Sequence, residues 1–263
     1  MSGQFPALYV SHGSPMLVLE NSAAKDFLSG LGKQLGRPKA ILVASAHFET
    51  DSPRLSADEW PDMIYDFGGF PRALYEMDYP APGEPALADH AAQLLTKAGL
   101  PATTMKERGF DHGTWVPLKL LYPEADIPVV QLSVQPDAGA EHHVAMGRAL
   151  APLRDEGVLV MGSGSLTHNL AQLSRYGRDP DAQPPDWVTR FGDWANQRIA
   201  AGAVDDIAHY RERAPFAREN HPSEEHYLPL PFAMGAAGES ARGRRLHTSH
   251  QYGVLMMDAY AFD

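Results

Sequence analysis

The sequence predicts an α/β fold: one domain with a mostly parallel central sheet flanked by helices. Two observations carry this. Apolar runs of four to eight residues alternate with longer stretches of helical periodicity, the pattern of successive βαβ units. The length of 263 residues suits one large α/β domain, so residues 1–263 are read as a single unit.

The elements follow in order. Ala7–Ser11 is a β-branched and aromatic run and the first strand, and Asn21–Leu35 is a helix with Asn21 or Ser22 as its cap. Ala40–Ala46 is a buried strand. Asp51–Pro85 is rich in Pro, Gly and aromatic residues and has no sustained period, so it reads either as a functional loop or as a packed surface loop. Pro85–Ala98 carries Leu87, Ala91, Leu94 and Leu95 at helical spacing. Pro128–Val134 is a strand, Glu141–Arg154 a helix, and Gly157–Gly162 a strand leading into a glycine-serine turn. Arg175–Gln183 is a polar linker. Pro185–Ala200 is a helix whose Trp187, Phe191 and Trp194 form a packing face, and Tyr252–Asp258 is the closing strand.

Composition narrows the function. Twenty-two Lys and Arg against 33 Asp and Glu give a net charge of −11, which argues against binding to nucleic acid or to an anionic membrane surface. Cysteine is absent, so disulfides, thiolate nucleophiles, iron–sulfur clusters and Cys-type zinc sites are excluded, and any metal is held by nitrogen and oxygen. No run of about 18 apolar residues occurs and the first residues lack a signal-peptide pattern, so a cytoplasmic location is expected.

Four of the twelve histidines sit where a predicted strand or glycine turn ends: His12, His47, His112 and His168. In an open α/β sheet the carboxyl ends of the strands line the ligand crevice, so these side chains are expected to converge in a metal site there. His12 on the Gly13–Ser14–Pro15 turn is equally placed to be a ligand or a turn histidine bonded to backbone. Ser45 is a candidate to orient His47, and Asp111 a candidate partner for His112. His226 is a fifth candidate, in the first turn of a short helix capped by Ser223, with Glu224 and Glu225 beside it and Pro229 and Pro231 breaking the pattern afterwards. His90, His142, His143, His209, His221, His247 and His250 are read as structural or solvated. No His-Glu-x-x-His or Gly-x-Ser-x-Gly motif occurs, which weakens zinc-protease and α/β-hydrolase readings.

Seven segments, in order, carry a resemblance: SHGSPM (11–16), SAHFE (45–49), IYDFGGFPRALYEMDYPAPG (64–83), GFDHGTW (109–115), LYPEADIPVVQLSV (121–134), LRDEGVLVMGSGSLTHNL (153–170) and EEHYLPL (224–230). Together they run nearly end to end and are highly specific. On them the chain resembles the class III extradiol ring-cleavage dioxygenases, in the branch similar to 4,5-DOPA dioxygenase.

The resemblance implies one catalytic domain over 1–263 and a mononuclear Fe(II) centre that opens a catechol with O₂. It implies that His12, His47 and His226 belong to the metal site, that His168 lies at or beside the metal, and that His112 is an acid or base beyond it. His168 is assigned as base and His112 as acid. Many members of the class use two His and a Glu, so Glu224 and Glu225 remain alternatives to His226. Zn(II) is the other ion such a donor set takes. The substrate is expected to be a single-ring catechol with a polar side chain, walled by Tyr65, Phe67 and Phe70. A zinc-dependent hydrolase and a non-catalytic metal-binding protein stand as alternatives, and the oligomeric state is left open.

Overall fold

A computed structural model describes residues 4–176, 179, 181–238 and 242–263 of the chain. Residues 1–3 and part of the expected linker 175–183 lie outside the described residues. The strands are β1 (Ala7–Ser11), β2 (Ala40–Glu49), β3 (Arg54–Ser56), β4 (Thr103–Met105), β5 (Val129–Val134), β6 (Val158–Gly164), β7 (Gly243–His247), β8 (His250–Gln251), β9 (Leu255–Met256) and β10 (Ala259–Phe262). Eight of them form one sheet in the order β4-β3-β5-β2-β6-β1-β10-β7, and β8 pairs with β9. The middle four, β5-β2-β6-β1, are parallel throughout. Among the described residues, antiparallel pairs lie outside these contacts, at β3–β5, β1–β10 and β10–β7 in this sheet and at β8–β9.

Period-two alternation divides the apolar side chains of the central strands between two cores. Leu8, Val10, Ile41, Val43, Val129, Leu159 and Met161 point to one face, where the helices Ala23–Leu35 and His112–Leu121 pack. Tyr9, Leu42, Ala44, Val130, Leu132, Val158 and Val160 point to the other, under the helices Pro85–Lys97, Gly139–Leu150, Asp186–Ala201 and Pro229–Ala236. Burial on both faces is why these strands read as near-continuous apolar runs. The mostly parallel α/β architecture expected from the sequence is thus present.

Several local expectations change. The cap of the first helix is Ser22, whose Oγ accepts from Lys25 N at 3.2 Å. Helix Gly139–Leu150 stops earlier than expected and ends in a 3₁₀ turn, Ala151–Arg154. The closing strand is β10, whereas 252–258 forms a turn and the short β9. The Gly162–Ser163–Gly164 sequence is the end of β6 rather than a turn. A Cβ on Gly162 would lie 2.0 Å from the Pro229 carbonyl oxygen, so glycine there admits the Pro229–Ala236 helix onto the sheet. That helix was unexpected because Pro229 and Pro231 look like breakers. Pro229 occupies its first position, where a missing N–H costs nothing. Among the described residues no helix is long and apolar enough to cross a membrane.

Candidate metal centre

The carboxyl ends of the central strands bring the candidates together. His12 follows β1 directly, and its backbone N donates to Gly164 O of β6 at 2.9 Å. His47 lies two residues before the end of β2. His112 is the first residue of its helix, capped by Asp111, whose carboxylate accepts from Thr114 N at 3.1 Å. His168 lies in the loop after β6, its N donating to Asn220 O at 3.0 Å. His226 sits in a turn ahead of the Pro229–Ala236 helix, not inside a helix. Its carbonyl accepts from Ser165 N at 2.9 Å, which pins this turn to the end of β6.

His12, His47 and His226 point their Nε2 atoms at one another, 3.1 Å apart for His12 and His47 and 3.2 Å for His47 and His226. Their Nδ1 atoms face oxygens supplied by three different segments. His226 Nδ1 lies 2.9 Å from Glu225 Oε1, and His47 Nδ1 lies 3.4 Å from Asp66 Oδ2. His12 Nδ1 lies 3.1 Å from Ser163 Oγ. Ser163 donates its only proton to the Gly113 carbonyl, so it accepts from His12 Nδ1–H and leaves the His12 Nε2 lone pair free. That carbonyl is available because its usual helical donor, four residues on, is Pro117, which has no N–H.

Burial first, then repulsion from neighbouring rings, depresses the His12 and His226 pKa values well below the ordinary imidazole range. Burial likewise lowers that of His47, with the charge on His112 adding to the effect and Asp66 opposing it. Three neutral rings with lone pairs converging is a repulsive arrangement that a cation relieves. Imidazole nitrogens about 2.05 Å from one ion stand roughly 2.9 Å apart at right angles and roughly 3.4 Å apart in a tetrahedron. The observed separations fall between these values, so the donor set fits a divalent ion with open positions.

The remaining candidates flank this trio. The His168 ring stacks on His226, centroids 3.4 Å apart and 9° from parallel. Its nitrogen groups with His226 and Glu225 rather than with His12 and His47. Burial pulls its pKa down to about 4, with Glu225 acting against the shift. The His112 ring lies 3.9 Å from that of His47. Its partner is Asp66, not the adjacent Asp111: Asp66 Oδ1 accepts from His112 N at 3.0 Å and from Nδ1 at 2.9 Å. Burial works to raise the Asp66 pKa, but hydrogen bonds and charge from His112, with His47, hold it below the usual carboxylate range. Glu224 pairs with Arg211 at 2.6 Å, and Glu225 lies against His226 Nδ1 and within the group it forms with His168 and His226. Ser45 does touch His47, by accepting its backbone N–H at 3.2 Å.

Asp66 and Ser163 were not singled out in the sequence. Asp66 lies in the aperiodic 51–85 stretch, whose signals were its length, its composition and the 64–83 segment that carries part of the resemblance. The imidazoles open on a cavity of about 860 Å³, walled by Pro15, Met16, Phe67, Phe70, Leu173 and Leu255 among others. Tyr65 is not part of that wall; it stands behind Phe67, ring centroids 6.1 Å apart, with its hydroxyl on Met77 O.

Residues 6–262 match the family described as the catalytic LigB subunit of aromatic ring-opening dioxygenase. The chain is 44% identical over 260 residues to a 4,5-DOPA dioxygenase extradiol of Beta vulgaris, covering 97% of this chain and 95% of that one. It is 44% identical to the protein of the same name in Escherichia coli K12, over 89% of this chain and 86% of that one. The fold superposes on a crystal structure of an uncharacterized Escherichia coli K12 protein with a TM-score of 0.81 at 36% identity, covering 98% of this chain and all of the other. The chain belongs to the LigB family and is an extradiol aromatic ring-opening dioxygenase.

Proposed function

We propose that the protein is an Fe(II)-dependent extradiol dioxygenase that opens the ring of a catechol, DOPA-like in size, with O₂. One observation carries this: three imidazole Nε2 atoms converge at the wall of a cavity, and two further histidines flank them. In this reading His12, His47 and His226 hold the metal, and Zn(II) fits the same donors. Iron, when bound, supplies the redox chemistry between the ring diol and dioxygen.

The chain's own residues hold and move protons. His168, whose ring lines the cavity and stacks on His226, is the group placed to take a proton from a catechol hydroxyl. His112 is the acid: Asp66 accepts from Nδ1–H, which leaves Nε2 as the nitrogen that exchanges a proton with the opening ring. Phe67 and Phe70 offer flat apolar faces to an aromatic ring.

The test is oxygen uptake by anaerobically Fe(II)-loaded protein against a panel of ortho-diols and monophenols. One O₂ per ring is expected, with a conjugated semialdehyde product absorbing at longer wavelength than the catechol. Monophenols should be inert. Ester or amide hydrolysis by the zinc-loaded protein, with no ortho-diol consumed, would replace this reading with the hydrolase alternative.

A further inference from the structure

We infer that Arg108 is a positioning residue that fixes His47 and His112 relative to each other; this rests on the reading of His47 as a metal ligand. The observation begins with a break in the β2–β5 ladder. Ala44 pairs with Leu132, and the next pair is Glu49 with Val134, so five steps along β2 answer two along β5. His47 lies inside that bulge, where its backbone loses its β5 partners. Bulges of this kind re-aim side chains beside active sites, and their backbone groups need partners from elsewhere.

Two side chains replace the missing strand. Ser45 Oγ accepts from His47 N at 3.2 Å, and Arg108 Nη2 donates to His47 O at 3.1 Å. Both lead to one carboxylate. Arg108 Nη2 also donates to Asp111 Oδ2 at 2.6 Å, and Ser45 Oγ donates to Asp111 Oδ1 at 2.7 Å. Asp111 is fully buried and caps the helix that starts at His112. One ion pair, with its carboxylate fully buried and its guanidinium partly so, therefore ties the backbone of a ligand candidate to the helix end that carries the neighbouring imidazole.

Arg108 is itself held in place. Glu107 takes a left-handed φ of 64°, and the Asp58 carboxylate accepts from Glu107 N at 3.0 Å and Arg108 N at 3.1 Å. The guanidinium carbon lies 4.4 Å from the centroid of Phe48, the residue after His47. Both bonds leave Nη2, whose two N–H directions are fixed by the guanidinium plane; an ammonium keeps the charge and loses that geometry.

The experiment compares the full-length protein with Arg108→Gln and Arg108→Lys, measuring divalent-ion affinity by chelator competition with Zn(II) or Co(II), the Co(II) absorption spectrum, and Tm. Arg154→Lys is the control. Arg154 is buried, and it donates to the Phe5, Ala236 and Phe262 carbonyls, away from the cavity. Arg108→Gln should lose roughly 10–100-fold in metal affinity, as for other groups that orient ligands from behind, with an altered Co(II) spectrum. Arg108→Lys, which retains a charge for Asp111 and should fold if the glutamine variant does not, should show a smaller loss of the same kind. Arg154→Lys should lower Tm while leaving affinity unchanged. Parent-like affinity and spectrum in either Arg108 variant would overturn the inference, as would an equal affinity loss in Arg154→Lys. A parent that binds metal but opens no catechol would defeat the dioxygenase reading alone; a parent that binds no divalent ion would defeat both.

Discussion

Replacing Gly113 with alanine adds one methyl group between the two networks that hold His12 and His47. A Cβ there would lie 2.7 Å from Ser45 Oγ, 2.9 Å from His47 Cδ2 and 3.2 Å from Asp111 Oδ1. Carbon–carbon contacts settle at about 3.5–4.0 Å, so the His47 ring must retreat by roughly 0.6–1 Å. Alanine gains about 1 kcal/mol of helix propensity over glycine, and overpacking costs about 1–3 kcal/mol, so the net destabilisation is about 0–2 kcal/mol. For a chain of this size that lowers Tm by at most about 8 °C, and the protein should fold. The site should suffer more, because a displacement of about 1 Å in a catalytic constellation costs roughly 10²-fold in rate. Chelator competition and thermal denaturation on the same preparation separate the two effects. Metal affinity should fall at least about tenfold, the lower end for disturbed ligand support, with Tm lowered by no more than about 8 °C. An alanine variant with parent-like metal affinity and turnover would show that His47 is not packed against Gly113 in the way described.

His47→Ala should lose metal and turnover together, whereas His112→Ala should retain metal and lose roughly 10²–10⁴-fold in turnover, the range for a missing acid or base. Metal analysis beside oxygen uptake checks this, and equal metal loss in both variants would refute the division of roles. His143 supplies a pH test remote from the metal: its Nε2 accepts from Gln135 N at 3.0 Å, and burial pulls its pKa down to about 3. The unfolded chain takes up a proton near pH 6.5 that the folded one refuses, so this contribution is present above about pH 6.5 and is lost as pH falls toward 3. Roughly 1.4 kcal/mol should disappear between about pH 7.5 and pH 5.5. In urea titrations of metal-free protein His143→Gln should lack that part of the slope, and an unchanged slope would refute it.

What the sequence makes legible is the part of the fold governed by local patterning. The four central strands show as short continuous apolar runs, buried on both faces, and the amphipathic helices show because their apolar residues repeat at 3.6. Helix His112–Leu121 does not show. Eight of its ten residues are buried and Pro117 interrupts it, so it has neither a polar face nor an uninterrupted run. The Pro229–Ala236 helix is hidden for the same reason, being buried at every position. Strands β3 and β4, at one end of the sheet, are three residues each, shorter than any period can reveal.

The site divides along a similar line. His12 and His47 follow apolar runs, and the topology of a parallel sheet then brings them to one crevice. The oxygens that choose each ring's tautomer are different, because they come from segments related only through the folded chain. Ser163 reaches His12 across 151 positions, and its own proton goes to a carbonyl that Pro117 leaves free. Asp66 reaches His112 from a loop 46 residues away, while the adjacent Asp111 turns to Arg108 and Ser45. Sequence neighbours of a strand-end or helix-start imidazole diverge from it by geometry, so its partner is seldom the adjacent carboxylate. Glu225 beside His226 is the exception here, since a turn, unlike a strand, folds consecutive side chains toward one side. The chemistry of the centre thus depends on which nitrogen each ring keeps bare, a choice made by Ser163, Asp66 and Glu225 rather than by the histidines that mark it.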